Sequence, residues 1–400
     1  MTDPRALAGI RVLDAGQVIA GPMVGQLLGD FGAEVIKIEE PGSGDPYRRF
    51  GPSKDGVPLA WTVLARNKKS ITLNLRTPKG IGIFKDLVAR VDVVIQSFRP
   101  STVERYGLTY EALSALNPRV VVLYVSGFGQ SGPYRDRPGF GTLIEAMSGY
   151  ADLTGQPDGP PTLPQFALAD SVAALYGAFG VLNALYWRDA GGGGVGQAID
   201  LSLLEPLSSI LGPLPAFHEQ LGLTLTRMGS RNWANAPRNV YRASDGKWIA
   251  IAASVQQIAA RCFAAVGRPE LINDPRFATA ASRLAHVDEV DEIINAWVAA
   301  RSSDEALKVL LEHEVAAAPV MDIAALMADP QARAREMFTQ VTDPDLGPVS
   351  MHGVIPALSR TPGEIAWGGP RPGQHNAEVY SSLLSLTEAD LQALRDEHVI

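Results

Sequence analysis

From residue 9 to residue 126, apolar runs of strand length alternate with helix-like segments. This alternation restricts the chain to a parallel sheet covered by helices. Residues 9–15 (GIRVLDA) read as a buried strand, 22–32 as a helix and 34–39 (EVIKIE) as a second strand, which makes a βαβ unit. A third strand is expected at 70–75. Thr77-Pro78, a cap followed by proline in the first turn, then opens a helix to about residue 90. Strands at 92–98 and 119–126 follow, with a basic turn at 99–106 between them. Glu39 ends the second strand where a dinucleotide-binding protein holds a ribose hydroxyl, but the glycines of GQVIAG miss the G-x-G-x-x-G spacing. The architecture is Rossmann-like and its nicotinamide signal weak.

The next informative stretch is 161–205, and within it one carboxylate. Asp170 stands directly before 171–188, which read as a helix that is apolar nearly all round and rich in alanine and glycine. Such a helix is expected to be packed on every side, with Asp170 as its N-cap. The positive helix end would favour a charge there by about 0.3–1 kcal/mol, or roughly 2 if partly buried. The glycine tetrad 191–194 reads as the turn into a strand at 197–203, where glycine supplies permissive backbone angles.

Charge and composition narrow the function classes. A net charge of −8 and the absence of any basic cluster denser than Arg48-Arg49 or Lys68-Lys69 argue against a nucleic-acid partner. The single cysteine, Cys262, falls in a helix-like segment as a small hydrophobe, and the six histidines lack metal-ligand spacing. The apolar run 172–187 is short for a bilayer, and the N-terminus lacks a signal-peptide design. A core helix, no membrane association and a cytoplasmic location are expected.

After residue 217 the texture changes. A polar loop at 227–239 precedes two strands within 239–253, joined by the hairpin signal Ser244-Asp245-Gly246. Helices are expected at 255–266, 288–301, 303–313 and 321–338. The resulting organisation is a large Rossmann-like domain over 1–224, a small α+β domain over 225–325, and a return to the large domain over 326–400.

Several stretches in this order carry a family resemblance: LDAGQVIAGP, VIKIEEPGSGD, RNKKSITLNL, VVIQSFRPSTVERYGL, FALADSVAALYGAFG and PGQHNAEVYSSLL, together with the D-x(17)-R-x(8)-Q arrangement that starts at Asp170. Together they resemble the family III (CaiB/BaiF-type) CoA-transferases, the group containing formyl-CoA:oxalate and carnitine CoA-transferases. The resemblance implies a homodimer of two interlocked, ring-like subunits. It implies Asp170 as the nucleophile that forms an aspartyl anhydride and then an aspartyl-CoA thioester. It implies coenzyme A as a thioester substrate, a free carboxylic acid as the other partner, and neither a metal nor a permanently bound cofactor. CoA contacts carried over by position are Val18, Ile19 and Ala20; Leu73, Asn74, Leu75 and Arg76; Ser97, Phe98 and Arg99; and Arg105, Arg137 and Phe140. Arginines 99, 105 and 137 suit phosphate oxygens because a guanidinium binds them in a fork. Glu40 stands where some members carry a cation.

Three rival functions remain. An α-methylacyl-CoA racemase shares the resemblance but needs an acid–base pair, and the place of its Gly-His-Asp reads Gly139-Phe140-Gly141 here. An NAD-dependent oxidoreductase would build on the βαβ unit, and a non-catalytic CoA-binding protein would need only the cleft. For the substrate, Arg48 or Arg49 is expected to pair with the distal carboxylate of a small dicarboxylic acid such as succinate, because both follow the Gly44-Asp45-Pro46 turn. A glycine- and asparagine-bearing loop at 229–239 is the expected lid.

Overall fold

In the computed structural model, which describes residues 5–400, the alternating part of the chain forms one parallel sheet. Its strands are β1 (Arg11–Ala15), β2 (Glu34–Glu39), β3 (Lys68–Thr72), β4 (Val93–Gln96), β5 (Val121–Ser126) and β6 (Ala198–Ser202). They lie in the order β3-β2-β1-β4-β5-β6, every neighbouring pair parallel. The order reverses between β1 and β4. At such a switch point the connections leave the two strands in opposite directions and open a crevice for a ligand at the carboxyl ends.

Both faces of the sheet are covered, and its inner strands β4 and β5 are apolar runs rather than alternating ones. Val12, Val35, Val93 and Val121 face helices α1 (Ala20–Asp30) and α5 (Leu168–Asp189). Leu13, Ile36, Val94 and Val122 face α2 (Pro78–Val88) and the C-terminal helices Asn376–Leu384 and Glu388–Asp396. The two ends of the chain thus build one core. Thr77 caps α2 through the Gly80 N–H, and Thr387 opens the last helix with a capping box.

Three sequence expectations are corrected. Residues 99–106 are not a turn: Pro100–Tyr106 is a helix, α3, with proline at its first position and left-handed Gly107 (φ 61°) after its last. The helix expected over 321–338 is two short ones, Ile323–Ala328 and Pro330–Ala334, because Pro330 cannot continue the first. Phe338–Asp343 then pairs with Gly347–His352 as an antiparallel hairpin. The third correction concerns α5, which is not packed on every side. Its small residues, Ala173, Ala174, Gly177, Ala178, Val181 and Ala184, form a buried stripe, while Leu175, Phe179, Tyr186 and Trp187 on the other side are each more than half exposed. A Cβ at Gly177 would stand 2.8 Å from Val24 Cγ2 of α1, so glycine here lets the two helices approach.

The chain divides into two compact units: one comprises the chain up to Tyr150 with Leu163–Gly212 and Ala334–Ile400, the other Ala151–Thr162 and Pro213–Arg333. The segment expected as a small domain, 225–325, lies within the second. That unit holds an antiparallel sheet of Arg238–Arg242, Trp248–Ala252 and Ala317–Pro319, with the expected hairpin between the first two. Helices Gln256–Ala265, Val287–Ala299 and Ser303–Glu312 accompany it. Cys262 is buried among them, and burial pushes its thiol up to about 12, which suits packing rather than reactivity.

Candidate active site

At the switch point the turn leaving β1 meets the end of β4: the Gln17 N–H donates to Ser97 Oγ at 2.8 Å. This contact floors a cavity of about 780 Å³, whose wall includes Gln17–Gly21, Ser97, Arg99, Arg135, Arg137, Phe140, Gly141, Glu145 and Asp170. Its size suits a ligand of cofactor dimensions.

Three helices begin at this cavity: α1 at Ala20, α4 (Gly141–Met147) and α5 at Leu168. The first N–H groups of a helix have no partner within it, so each start presents donors and the positive end of a dipole. Asp170 sits where they converge. It is the third residue of α5, not its N-cap; Ala167 takes that place and contributes no side-chain cap. The helix begins earlier because its Ala169 N–H is satisfied from a distance, by Glu145 Oε1 at 3.2 Å.

The Asp170 carboxylate is packed against glycine. A Cβ at Gly141 would lie 2.2 Å from Asp170 Oδ2, so no other residue fits there without moving the carboxylate. Burial, and then the charge of Glu145, raise the pKa of Asp170 to about 6, against the pull of the N–H groups of Asp170 itself and Ala20. The helix-end stabilisation expected from the sequence is therefore outweighed. At neutral pH about nine carboxyls in ten remain ionised, with higher basicity than an exposed aspartate. Tyr47 lies near enough for the charge on Asp170 to add to burial in raising its phenol. Local sequence gave no sign of Glu145 or Tyr47 as neighbours, since both are brought in by the tertiary fold.

The structure sorts the other expected site residues into two groups. Val18, Ile19, Ala20, Ser97, Arg99, Arg137 and Phe140 line the cavity with Asp170. Leu73, Asn74, Leu75, Arg76, Phe98 and Arg105 do not. Leu73 and Leu75 are buried core side chains, Asn74 donates hydrogen bonds to the carbonyls of the C-terminal residues His398 and Val399, and Phe98 packs edge-on against Tyr106. Arg76 and Arg105 are exposed, Arg105 stacking over Tyr106.

The two expected substrate arginines are not presented to the cavity. Arg48 binds both oxygens of Glu39, at 2.6 and 2.7 Å, donates to the Pro370 carbonyl and stacks over Trp61. Arg49 is exposed and donates to the Ser43 carbonyl. The cavity's own cations are Arg99, Arg135 and Arg137. Arg135 is ion-paired with Glu104 and Asp136. Arg137 stacks over Tyr134 at 4.5 Å, and among the described residues neither it nor Arg99 has a carboxylate partner.

The rival chemistries find no support in this arrangement. Glu39 is not offered to a ribose: it is buried and accepts from Arg48, Ser70 Oγ and the Asp45 N–H. Burial alone would raise its pKa, but Arg48 and Lys37 hold the carboxyl below the usual range. Phe140 and Gly141 occupy the place of a racemase acid–base pair, and no histidine is among the residues lining the cavity. A second cavity of about 650 Å³ shares no residue with the first; Arg48, Lys69 and Arg371 in its lining are each paired with carboxylates.

The sequence matches the family described as CoA-transferase family III over residues 7–376. It is 45% identical over 398 residues to a succinyl-CoA–D-citramalate CoA-transferase of Chloroflexus aurantiacus, covering 99% of this chain and 98% of the relative. Over 384 residues it is 34% identical to a succinate–glutarate CoA-transferase of Agrobacterium fabrum, covering 94% and 95%. Among solved structures, a CaiB/BaiF family protein from Brucella suis superposes with a TM-score of 0.83 at 32% identity, covering 95% of this chain and 99% of that one.

Proposed function

The chain belongs to CoA-transferase family III, and from that premise we propose that it moves CoA from succinyl-CoA to a second small carboxylic acid, with Asp170 as the covalent carrier. The observation that carries this reading is the Asp170 carboxylate itself, facing the cavity at the switch point, where three helix starts converge. The donor is inferred from the relatives at 45% and 41% identity, both named for succinyl-CoA.

In the proposed reaction an Asp170 oxygen attacks the thioester carbonyl of succinyl-CoA, the C–S bond breaks, and CoA leaves as thiolate from an aspartyl–succinyl anhydride. The thiolate attacks the aspartyl carbonyl, expelling succinate and forming an aspartyl-CoA thioester. The acceptor carboxylate then attacks that carbonyl and releases the thiolate. The thiolate returns to the acceptor's acyl carbon and frees Asp170. Each step exchanges one acyl bond for another, so the energy of the thioester is kept without ATP. The oxyanions formed on the way would lie beside the first N–H groups of α1 and α4, donors fixed before reaction.

CoA would enter over the turn at Val18, Ile19 and Ala20 and past Ser97 and Phe140, with Arg99 and Arg137 on its phosphates. Asn74, Arg76 and Arg105 are left for the remote nucleotide end, and Leu73 and Leu75 could offer only backbone. A homodimer is part of the proposal: the exposed apolar stripe of α5 is a surface that a second copy would cover. The reading is tested by incubating enzyme, succinyl-CoA and a panel of hydroxy- and dicarboxylic acids. Transfer to at least one acid is expected, together with a loss of at least about 10³-fold in Asp170→Ala while CoA binding is retained. Unchanged transfer by that variant rejects it.

A further inference from the structure

We infer that Asp45 is a positioning residue: it holds the turn after β1 in a strained shape that aims the Ala20 N–H at Asp170. The inference rests on the reading of Asp170 given above and extends it to a residue outside the cavity wall.

The strain lies at Val18. Its φ is +64°, in the left-handed region, where a β-branched side chain is a marked outlier. Such a conformation persists only where the surroundings over-determine it. Here the backbone groups of the turn are bound by side chains from elsewhere. Gly16 N–H donates to Asp14 Oδ1, Gly16 C=O accepts from Lys37 Nζ, Gln17 N–H donates to Ser97 Oγ, and Val18 N–H donates to Asp45 Oδ1 at 3.2 Å. Of these, Asp45 touches the strained residue itself.

Asp45 is built to stay in place. It is buried, its own N–H donates to Glu39 Oε2 at 2.9 Å, and its Oδ2 lies 3.1 Å from the Nζ of buried Lys37. Its Oδ1 also accepts the Tyr47 N–H at 2.8 Å, capping the short turn Pro46–Arg49. One oxygen therefore fixes two segments that reach the active cavity: Val18, and Pro46 with Tyr47, whose phenol feels the Asp170 charge. Two residues after Val18, α1 starts without a side-chain cap at Ile19, and its first residue, Ala20, shares the cavity wall with Asp170, whose carboxyl its N–H helps to hold down in pKa. Were Val18 to relax to a negative φ, the helix start would turn and that donor would leave the reaction centre.

The test pairs removal of the clamp with removal of the strain. Asp45→Ala is expected to lower kcat about 30-fold or more with KM for succinyl-CoA changed less than about threefold, because the lost donor acts on the reacting carboxylate. Adding Val18→Gly is expected to restore kcat at least fivefold over Asp45→Ala, since glycine adopts positive φ without a side-chain clash. A clamp that served only to hold the fold together would not be rescued by deleting the valine side chain. A kcat for Asp45→Ala within threefold of the natural enzyme, or a double variant no better than the single one, overturns the inference. If the alanine variant does not fold, Asp45→Asn keeps the size and the accepting oxygen: kcat above about a tenth of normal supports the clamp, and kcat below it overturns the clamp. Asp170→Ala assayed alongside separates the two levels, because full activity there would remove the nucleophile rather than the clamp.

Discussion

Asp170 carries its charge where burial and a second carboxylate oppose it, and that opposition has a cost in stability that can be measured. In the unfolded chain its carboxyl titrates near 3.8; in the fold it titrates near 6. Between these values the folded state holds more protons than the unfolded one, so stability falls as pH rises through the window. By pH 7 the loss is on the order of 2–3 kcal/mol, from a shift of about two units at 1.36 kcal/mol each. Asp170→Asn escapes it. Denaturant unfolding is therefore expected to show that variant more stable than the natural enzyme by about that amount at pH 7, with the difference vanishing below about pH 4. Equal stability at pH 7 would mean that the carboxylate is not held in the environment described. The local sequence identified Asp170 but not this environment: Glu145, which accepts the Ala169 N–H from 24 positions upstream and adds its charge to the site, reaches it only through the fold.

Helix α5 shows what the pattern along an element reveals and what it hides. Its existence and its ends within three residues were legible from apolar residues running up to a glycine-rich stop. Which side faces inward was not, since large residues lie outside and small ones inside, the reverse of an ordinary amphipathic helix. Closeness to α1 and the sheet explains the inversion. The site at position 177 has room only for hydrogen, with Val24, Leu201 and Leu123 methyl groups 2.8–3.3 Å from a would-be Cβ. Gly177→Val is expected to destabilise the enzyme by about 1–3 kcal/mol through overpacking, read as a lowered unfolding midpoint. An unchanged midpoint would contradict the packing. The strands up to residue 126 were placed close to where they fall because β4 and β5, buried on both faces, are apolar runs and β1 nearly so. The short helix α3 was missed because its polar residues, Ser101, Glu104 and Arg105, hid the proline–glycine punctuation. Arg48 and Arg49 stay out of the cavity for a related reason: nearness in sequence to a ligand-binding edge says nothing of what a guanidinium meets first, here Glu39 for Arg48 and the Ser43 carbonyl for Arg49.

At the scale of the molecule, the sheet order places β1 and β4 side by side, and everything proposed for catalysis follows from the crevice between their ends. The exposed stripe of α5 belongs to the same scale, since one chain leaves Phe179, Tyr186 and Trp187 in water. Sedimentation equilibrium is expected to give twice the 42.6 kDa chain mass, and a single-chain mass at micromolar concentration would rule the homodimer out. The most direct measurement concerns the bond on which the transfer depends. Enzyme mixed with succinyl-CoA is quenched within a turnover, digested and weighed by mass spectrometry, in parallel with a sample treated with hydroxylamine. The expected result is a CoA adduct confined to the peptide bearing Asp170, converted by hydroxylamine to the hydroxamate at that residue. Efficient transfer with an unmodified Asp170 peptide, or an adduct at any other carboxylate, would contradict Asp170 as the carrier.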